Sequence, residues 1–281
     1  MSNAGGLGLI AAGGVPLDIL REEIRQAQAL TDKPFGVNLM MPDPNVEAQA
    51  DVVIEMGVKV VTTGAGTPKN IFPRLKEAGV VVIPVIASVK HARKMEELGV
   101  DAVVAEGQEA GGHIGQTSTM ALLPQVVDSV NIPVLGAAGI GDGRSVAAMY
   151  ALGAAGIQAG TIFLTAEECP IHANYQQAVL AATDTGTIVT GRKAKDSVRS
   201  LTNPMLVEFA QLEAANAPHE ELEQLTLDSL ARAVYEGDME TGSAMAGEIA
   251  GMFTEMRPAR QIIVDLFAEA EAVAANLQIK Y

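Results

Sequence analysis

Tryptophan is absent from the 281-residue chain, aromatic residues make up 4% of it, and there is a single cysteine, Cys169. One cysteine excludes an internal disulfide and a multi-thiolate zinc site, and it fits a reducing compartment. No metal site is expected. Basic residues are scarce: 19 Lys+Arg stand against 34 Asp+Glu, a formal charge of -15. A field of that sign repels nucleic acid and anionic membrane, so neither is an expected partner. No apolar run reaches the roughly 18 residues that a membrane helix needs, and no basic-then-apolar leader opens the chain, so a cytoplasmic location is expected. What is present is ordinary for a globular protein: 48% hydrophobic residues with 28 Gly and 13 Pro, enough for one large domain or one domain with an insertion.

The most informative internal feature is a repeated junction, in which a polar helix-like stretch ends in a glycine followed at once by a β-branched run. It occurs at Met56-Gly57-Val58, Ala78-Gly79-Val80, Leu98-Gly99-Val100 and, slightly altered, Leu152-Gly153-Ala154. Glycine suits the left-handed position just past a helix C-terminus, and the apolar run reads as a strand buried on both faces. Reading outward predicts strands near 7–12, 35–40, 58–62, 80–86, 101–106, 132–137 and 156–162. Between them run helices with apolar stripes such as Leu20, Ile24, Ala27 and Leu30, or Val89, Ala92, Met95 and Leu98. This is a parallel α/β protein whose sheet is either a closed barrel or an open, doubly wound one. Seven strands are counted where a (β/α)8 barrel has eight, so a TIM-type barrel lacking its first strand is expected.

The pattern changes after the last strand. Residues 165–257 show no strand-helix alternation and only one short β-like run, Thr187-Ile188-Val189-Thr190. We therefore expect a barrel at 1–164, a smaller, mostly helical cap at 165–257, and a segment 258–281 whose Ile262, Ile263, Leu266, Phe267 and Val273 follow a helical period and return to the barrel.

In parallel α/β folds ligands bind at the C-terminal ends of strands. Two late loops there are glycine-rich, Ala137-Ala138-Gly139-Ile140-Gly141-Asp142-Gly143 and Gln158-Ala159-Gly160-Thr161. Glycine lets backbone N–H groups approach a phosphate, and the helix that starts near Arg144 would add its dipole. Glu106-Gly107-Gln108-Glu109-Ala110-Gly111-Gly112-His113 follows the fifth predicted strand. A flexible loop that presents His113 over a barrel mouth suggests a proton donor or acceptor. His91, His172 and His219 read as structural. Asn38 ends an otherwise apolar strand, where its amide offers a donor and an acceptor to a planar heterocycle, and Thr62-Thr63-Gly64 closes the next strand in the same style. Alone, each of these reads equally well as turn chemistry. Arg192, Lys193, Lys195 and Arg199 place four cations within eight residues, either a solvated face or a docking patch for an acidic partner or for cofactor phosphates.

Gly36-Val37-Asn38-Leu39, Thr62-Thr63-Gly64, Glu109-Ala110-Gly111-Gly112-His113, Ala137-Ala138-Gly139-Ile140 and Gln158-Ala159-Gly160-Thr161 occur in one order over nearly the whole chain. Together they resemble the nitronate monooxygenase and enoyl-acyl-carrier-protein reductase II superfamily of FMN-binding TIM barrels. Within it, Ala105-Glu106-Gly107 and Gly242-Ser243-Ala244-Met245-Ala246-Gly247 resemble the reductase branch, although Glu248 stands where reductases usually show Gln. The resemblance implies that Asn38, Thr63, Glu106, Gly111, Gly139, Gln158, Ala159, Gly160 and Thr161 contact FMN and that His113 is catalytic. It implies reduction of a trans-2-enoyl thioester on acyl carrier protein by NADH or NADPH, in a homodimer. The alternative within the superfamily is nitronate oxidation with FMN and oxygen.

Overall fold

A computed structural model describes residues 1–194 and 196–278 of the chain. Ten strands are found among the described residues: β1 (Gly8–Ala11), β2 (Phe35–Met40), β3 (Val60–Gly64), β4 (Val81–Ile86), β5 (Val103–Glu106), β6 (Gly112–His113), β7 (Val134–Ala137), β8 (Gly156–Gln158), β9 (Thr187–Thr190) and β10 (Val198–Leu201). Seven of them, β1-β2-β3-β4-β5-β7-β8, form a parallel sheet in chain order, with a helix after each of β1 to β4 and after β6 and β7. Registers such as Asn38↔Thr62 and Ala105↔Gly136 hold adjacent strands side by side. The sheet is the wall of a TIM-type α/β barrel, open between β1 and β8.

The strands form where they do because helices end cleanly before them. The junction glycines Gly57, Gly79, Gly99 and Gly153 all have positive φ, between 70 and 95°, as the left-handed C-cap requires. The strand expected at 58–62 begins two residues later, at Val60, because Val58 still donates its N–H to Val53 of the preceding turn. Val37, Leu39, Val61, Val82 and Val103 pack against helix residues including Leu20, Ile24, Ala92 and Met95, all fully buried. Leu30 departs from its predicted stripe and is 77% exposed, at the last residue of its helix (Leu17–Leu30).

The segment after β8 holds helices Ala173–Leu180, Pro204–Ala214 and His219–Thr226, but it is less helical than expected. β10 pairs antiparallel with β9 on one side and with β6 on the other, giving a three-stranded sheet. β6 comes from the β5–β7 connection of the barrel, so this small sheet joins the two parts of the chain. The helix Ala259–Asn276 packs along helix Gly143–Ala151, where the Glu269 carboxylate accepts the Gly143 N–H at 2.8 Å.

Candidate active site

The C-terminal ends of β5, β7 and β8 surround a cleft of about 370 Å³, a size suited to a small molecule. Seven of the residues expected at a cofactor line it: Glu106, Gly111, Gly139, Gln158, Ala159, Gly160 and Thr161. The sequence did not point to Leu9, Leu164 or Ile249, and it offered Glu109 and Met245 only as parts of motifs.

The floor near β7 and β8 is made of backbone. Ala138 and Gly139 both have positive φ (79 and 71°), which turns successive N–H groups toward one side. A Cβ added at Gly139 or at Gly160 would meet nothing within 4 Å. The N–H groups of Gly139, Ile140, Gly160 and Thr161 donate to no protein acceptor among the described residues. Among the described residues no lysine or arginine lines the cleft, so an anion bound there would rest on these donors, as in a backbone nest. The residues present therefore fit the phosphate of FMN. The helix dipole expected to assist does not face this ligand: Asp142 accepts from Arg144 N (2.9 Å) and Ser145 N (3.2 Å), Ser145 Oγ accepts from Gly141 N (3.1 Å), and Glu269 takes the Gly143 N–H. The helix N-terminus is closed by the protein's own side chains, and the phosphate-type donors lie in the loop ahead of it.

Glu106 ends β5 inside the cleft. Burial without a compensating positive charge pushes its carboxyl up to about 7, the direction in which desolvation moves an acid. Glu109, three residues on, is anchored: its carboxylate accepts from Thr119 N at 3.0 Å and Thr119 Oγ1 at 2.8 Å. The cap closes the far side. Gly247 N donates to Thr161 Oγ1 at 2.9 Å and Glu248 N to the Glu109 carbonyl at 2.9 Å. At Gly111 an added Cβ would lie 2.6 to 2.8 Å from the backbone of Ala246 and Gly247, so only glycine permits that approach.

Two expected residues stand elsewhere. Asn38 is on the inner barrel face, where Thr62 Oγ1 donates to its Oδ1 at 2.8 Å, but it is not among the cleft-lining residues. Thr63 is fully buried, and its side chain points to the helix side of the sheet. Strand alternation puts its neighbour Thr62 inside, beside Leu9, Ile83, Val104 and Leu135. Thr62, not Thr63, is therefore the threonine of β3 that faces the barrel interior.

His113 also differs from expectation. It lies in β6, paired to Val198 of β10, and not in a flexible loop. Its half-exposed ring borders a second cavity of about 410 Å³, with Nε2 at 3.3 Å from Asp196 Oδ1. Apolar Leu206, Phe209 and Leu222 line that cavity, and Met245 lines both it and the cleft. Of the histidines read as structural, His172 Nδ1 accepts from Asn174 N and caps a helix, while His219 reaches the rim of the second cavity.

The cation cluster divides. Lys193 Nζ donates to the Glu213 carbonyl, the Ala214 carbonyl and Asn216 Oδ1, Arg199 is buried, and Lys195 lies outside the described residues. Arg192 remains exposed, so a patch of four adjacent cations is not formed by the described residues.

Comparison with known proteins gives a consistent picture. The nitronate monooxygenase family model matches residues 1–269. The structure of FabK from Thermotoga maritima superposes with a TM-score of 0.94 at 44% identity, covering 98% of this chain and 88% of that one. A nitroalkane oxidase from Streptomyces ansochromogenes superposes with a TM-score of 0.87 at 29% identity, covering 99% and 92%. Among curated sequences, (3aS,4S,5R,7aS)-5-hydroxy-7a-methyl-1-oxo-octahydro-1H-indene-4-carboxyl-CoA dehydrogenase of Mycobacterium tuberculosis is 42% identical over 194 residues, 68% of this chain and 55% of that protein. The chain thus spans little more than half the length of that relative.

Proposed function

Because the chain belongs to the nitronate monooxygenase family, we propose that it is an FMN-dependent oxidoreductase that reduces the trans-2-enoyl thioester of acyl carrier protein, with NADH or NADPH as reductant. The observation that carries this reading is the likeness to FabK, 44% identical over 98% of the chain, in a molecule whose cleft has unused backbone donors where a flavin phosphate would rest. The name of the mycobacterial relative also specifies a thioester, of coenzyme A.

When bound, FMN supplies the two-electron chemistry between nicotinamide and enoyl group. The protein does the rest. Gly139, Ile140, Gly160 and Thr161 hold the phosphate by backbone N–H groups, and Glu106 and Gln158 line the cleft beside them. The cavity next to the cleft, apolar at Leu206, Phe209 and Leu222, accommodates the acyl chain, with Met245 at the boundary. His113, whose ring borders that cavity with Nε2 3.3 Å from Asp196 Oδ1, is assigned the donation of the proton that the α-carbon requires. His113→Asn keeps a hydrogen-bond donor but no titrating group, so kcat should fall about 10²-fold or more with FMN affinity unchanged. An unchanged kcat would limit His113 to orienting the thioester carbonyl.

The nitroalkane oxidase likeness at a TM-score of 0.87 favours a second reading, oxidation of alkyl nitronates with oxygen. The two separate in one assay: NAD(P)H oxidation that requires an enoyl thioester supports the reductase, and oxygen uptake with an alkyl nitronate and no nicotinamide supports the alternative.

A further inference from the structure

Removing a guanidinium from water is costly unless its donors are matched. Arg199 of β10 has a side chain only 7% exposed, and its donors are engaged. Nε and Nη2 donate to the Gln108 carbonyl at 3.3 and 3.0 Å, Nη1 donates to Thr187 Oγ1 at 3.0 Å, and Nη2 lies 2.7 Å from Glu248 Oε1. Gln108 is in the loop whose next residues, Glu109 to Gly112, form one wall of the cleft. The strand that carries Arg199 is itself paired to that wall: Arg199 is opposite Gly112, and Val198 is opposite His113. On its other side the loop is anchored by Glu109 on Thr119. The wall is therefore fixed within the barrel by Glu109 on Thr119, and from the cap by Arg199 on Gln108 and by the Glu248 N–H on the Glu109 carbonyl.

We propose that Arg199 is a positioning residue for the flavin cleft: by holding the Gln108 carbonyl it sets the Glu109–Gly112 wall and the His113 strand in place before the cofactor arrives. This rests on the reading that the cleft takes FMN. The bond to Gln108 and not the ion pair is the working contact, since Glu248 is 46% exposed and its pairing is screened by water. Lysine keeps the charge beside Glu248 but lacks the planar fork that serves Gln108 and Thr187 together.

The test uses the full chain with Arg199→Lys and Glu248→Gln. FMN affinity is read from quenching of flavin fluorescence, melting is followed without FMN, and amide hydrogen exchange is measured over residues 107–113. Arg199→Lys should weaken FMN binding about tenfold, the effect of losing one hydrogen bond to a charged group. It should also speed exchange in 107–113 while the melting temperature of the FMN-free protein moves by only a few degrees. Glu248→Gln should stay within about twofold of wild type. The proposal is overturned if Arg199→Lys binds FMN like wild type with unchanged exchange, or if Glu248→Gln weakens binding as much as Arg199→Lys does. A wild-type chain that takes up no FMN would instead defeat the flavin reading. The exchange data alone then decide on Arg199: faster exchange in Arg199→Lys supports it and unchanged exchange overturns it.

Discussion

Glu106 is the residue at which the cleft's electrostatics are most exposed to test. Its folded-state value, about 7, lies above the ordinary 4.5 because burial disfavours the charged form. The sign follows from linkage: the folded protein holds this proton more tightly than the unfolded chain, so Glu106 favours folding at low pH, and that contribution is lost as pH rises from about 4.5 through 7. Glu106→Gln removes the titration, so the melting temperature of the FMN-free variant should gain on wild type across this window and exceed it at pH 8. Melting curves of the two that run parallel from pH 5 to 8 would contradict the assignment. At this scale the sequence was legible where glycine or backbone did the work, as at Gly111, Gly139 and Gly160. It was misleading where one position's parity or partner decided the matter. Thr62 and Thr63 are chemically identical in sequence, and only strand alternation separates the inner from the outer. Arg199 read as a surface cation because nothing in its neighbours' composition reveals that its strand lies between β6 and β9, with the side chain turned to the Gln108 carbonyl.

Among the elements, the parallel strands were the easiest to foresee, since burial on both faces demands continuous apolar runs and the left-handed glycines Gly57, Gly79, Gly99 and Gly153 precede β3, β4, β5 and β8. β6 and β10 escaped because they lack that signature. β6 is two residues, Gly112-His113, and β10 reads Val-Arg-Ser-Leu, polar at its centre. They are held by pairing across about 85 residues of chain, which local patterning does not encode. The contact between the β5–β6 loop and the cap can be broken at one atom. Gly111→Ala places a methyl against the backbone of Ala246 and Gly247, with no side chain free to yield. We expect a loss of about 1–3 kcal/mol in stability and a tenfold or greater loss of FMN affinity. Gly57→Ala is the control: φ is 70° and the added Cβ meets nothing within 4 Å, so about 1–2 kcal/mol of stability should go while FMN binding is retained. Equal effects of the two on FMN affinity, measured by titration, would mean that the close approach at Gly111 does not shape the cleft.

For the whole molecule, a charge of -15 sets the terms for any encounter with an acidic carrier protein. Like-charge repulsion slows such association unless a local positive site steers it. Arg192 is the exposed arginine of the cap's basic run. Arg192→Glu should therefore raise KM for carrier-bound enoyl substrate several-fold at low salt while leaving kcat and the KM for a small enoyl thioester unchanged. A KM for carrier-bound substrate that stays constant would exclude this face from docking. The barrel architecture was legible at this scale from the repeated helix-glycine-strand junctions and the strand count. The second cavity, which meets the cleft at Met245, was not, because it depends on how the cap folds over the barrel.

The central claim, a flavin reductase of enoyl thioesters, is tested most directly by the visible absorption spectrum of the purified chain with FMN, followed by anaerobic addition of NADH and then of crotonyl thioester. The account predicts bound flavin that bleaches with the nicotinamide and recovers its colour with the enoyl compound. Flavin that binds but is not bleached by NADH or NADPH would contradict it and favour nitronate oxidation.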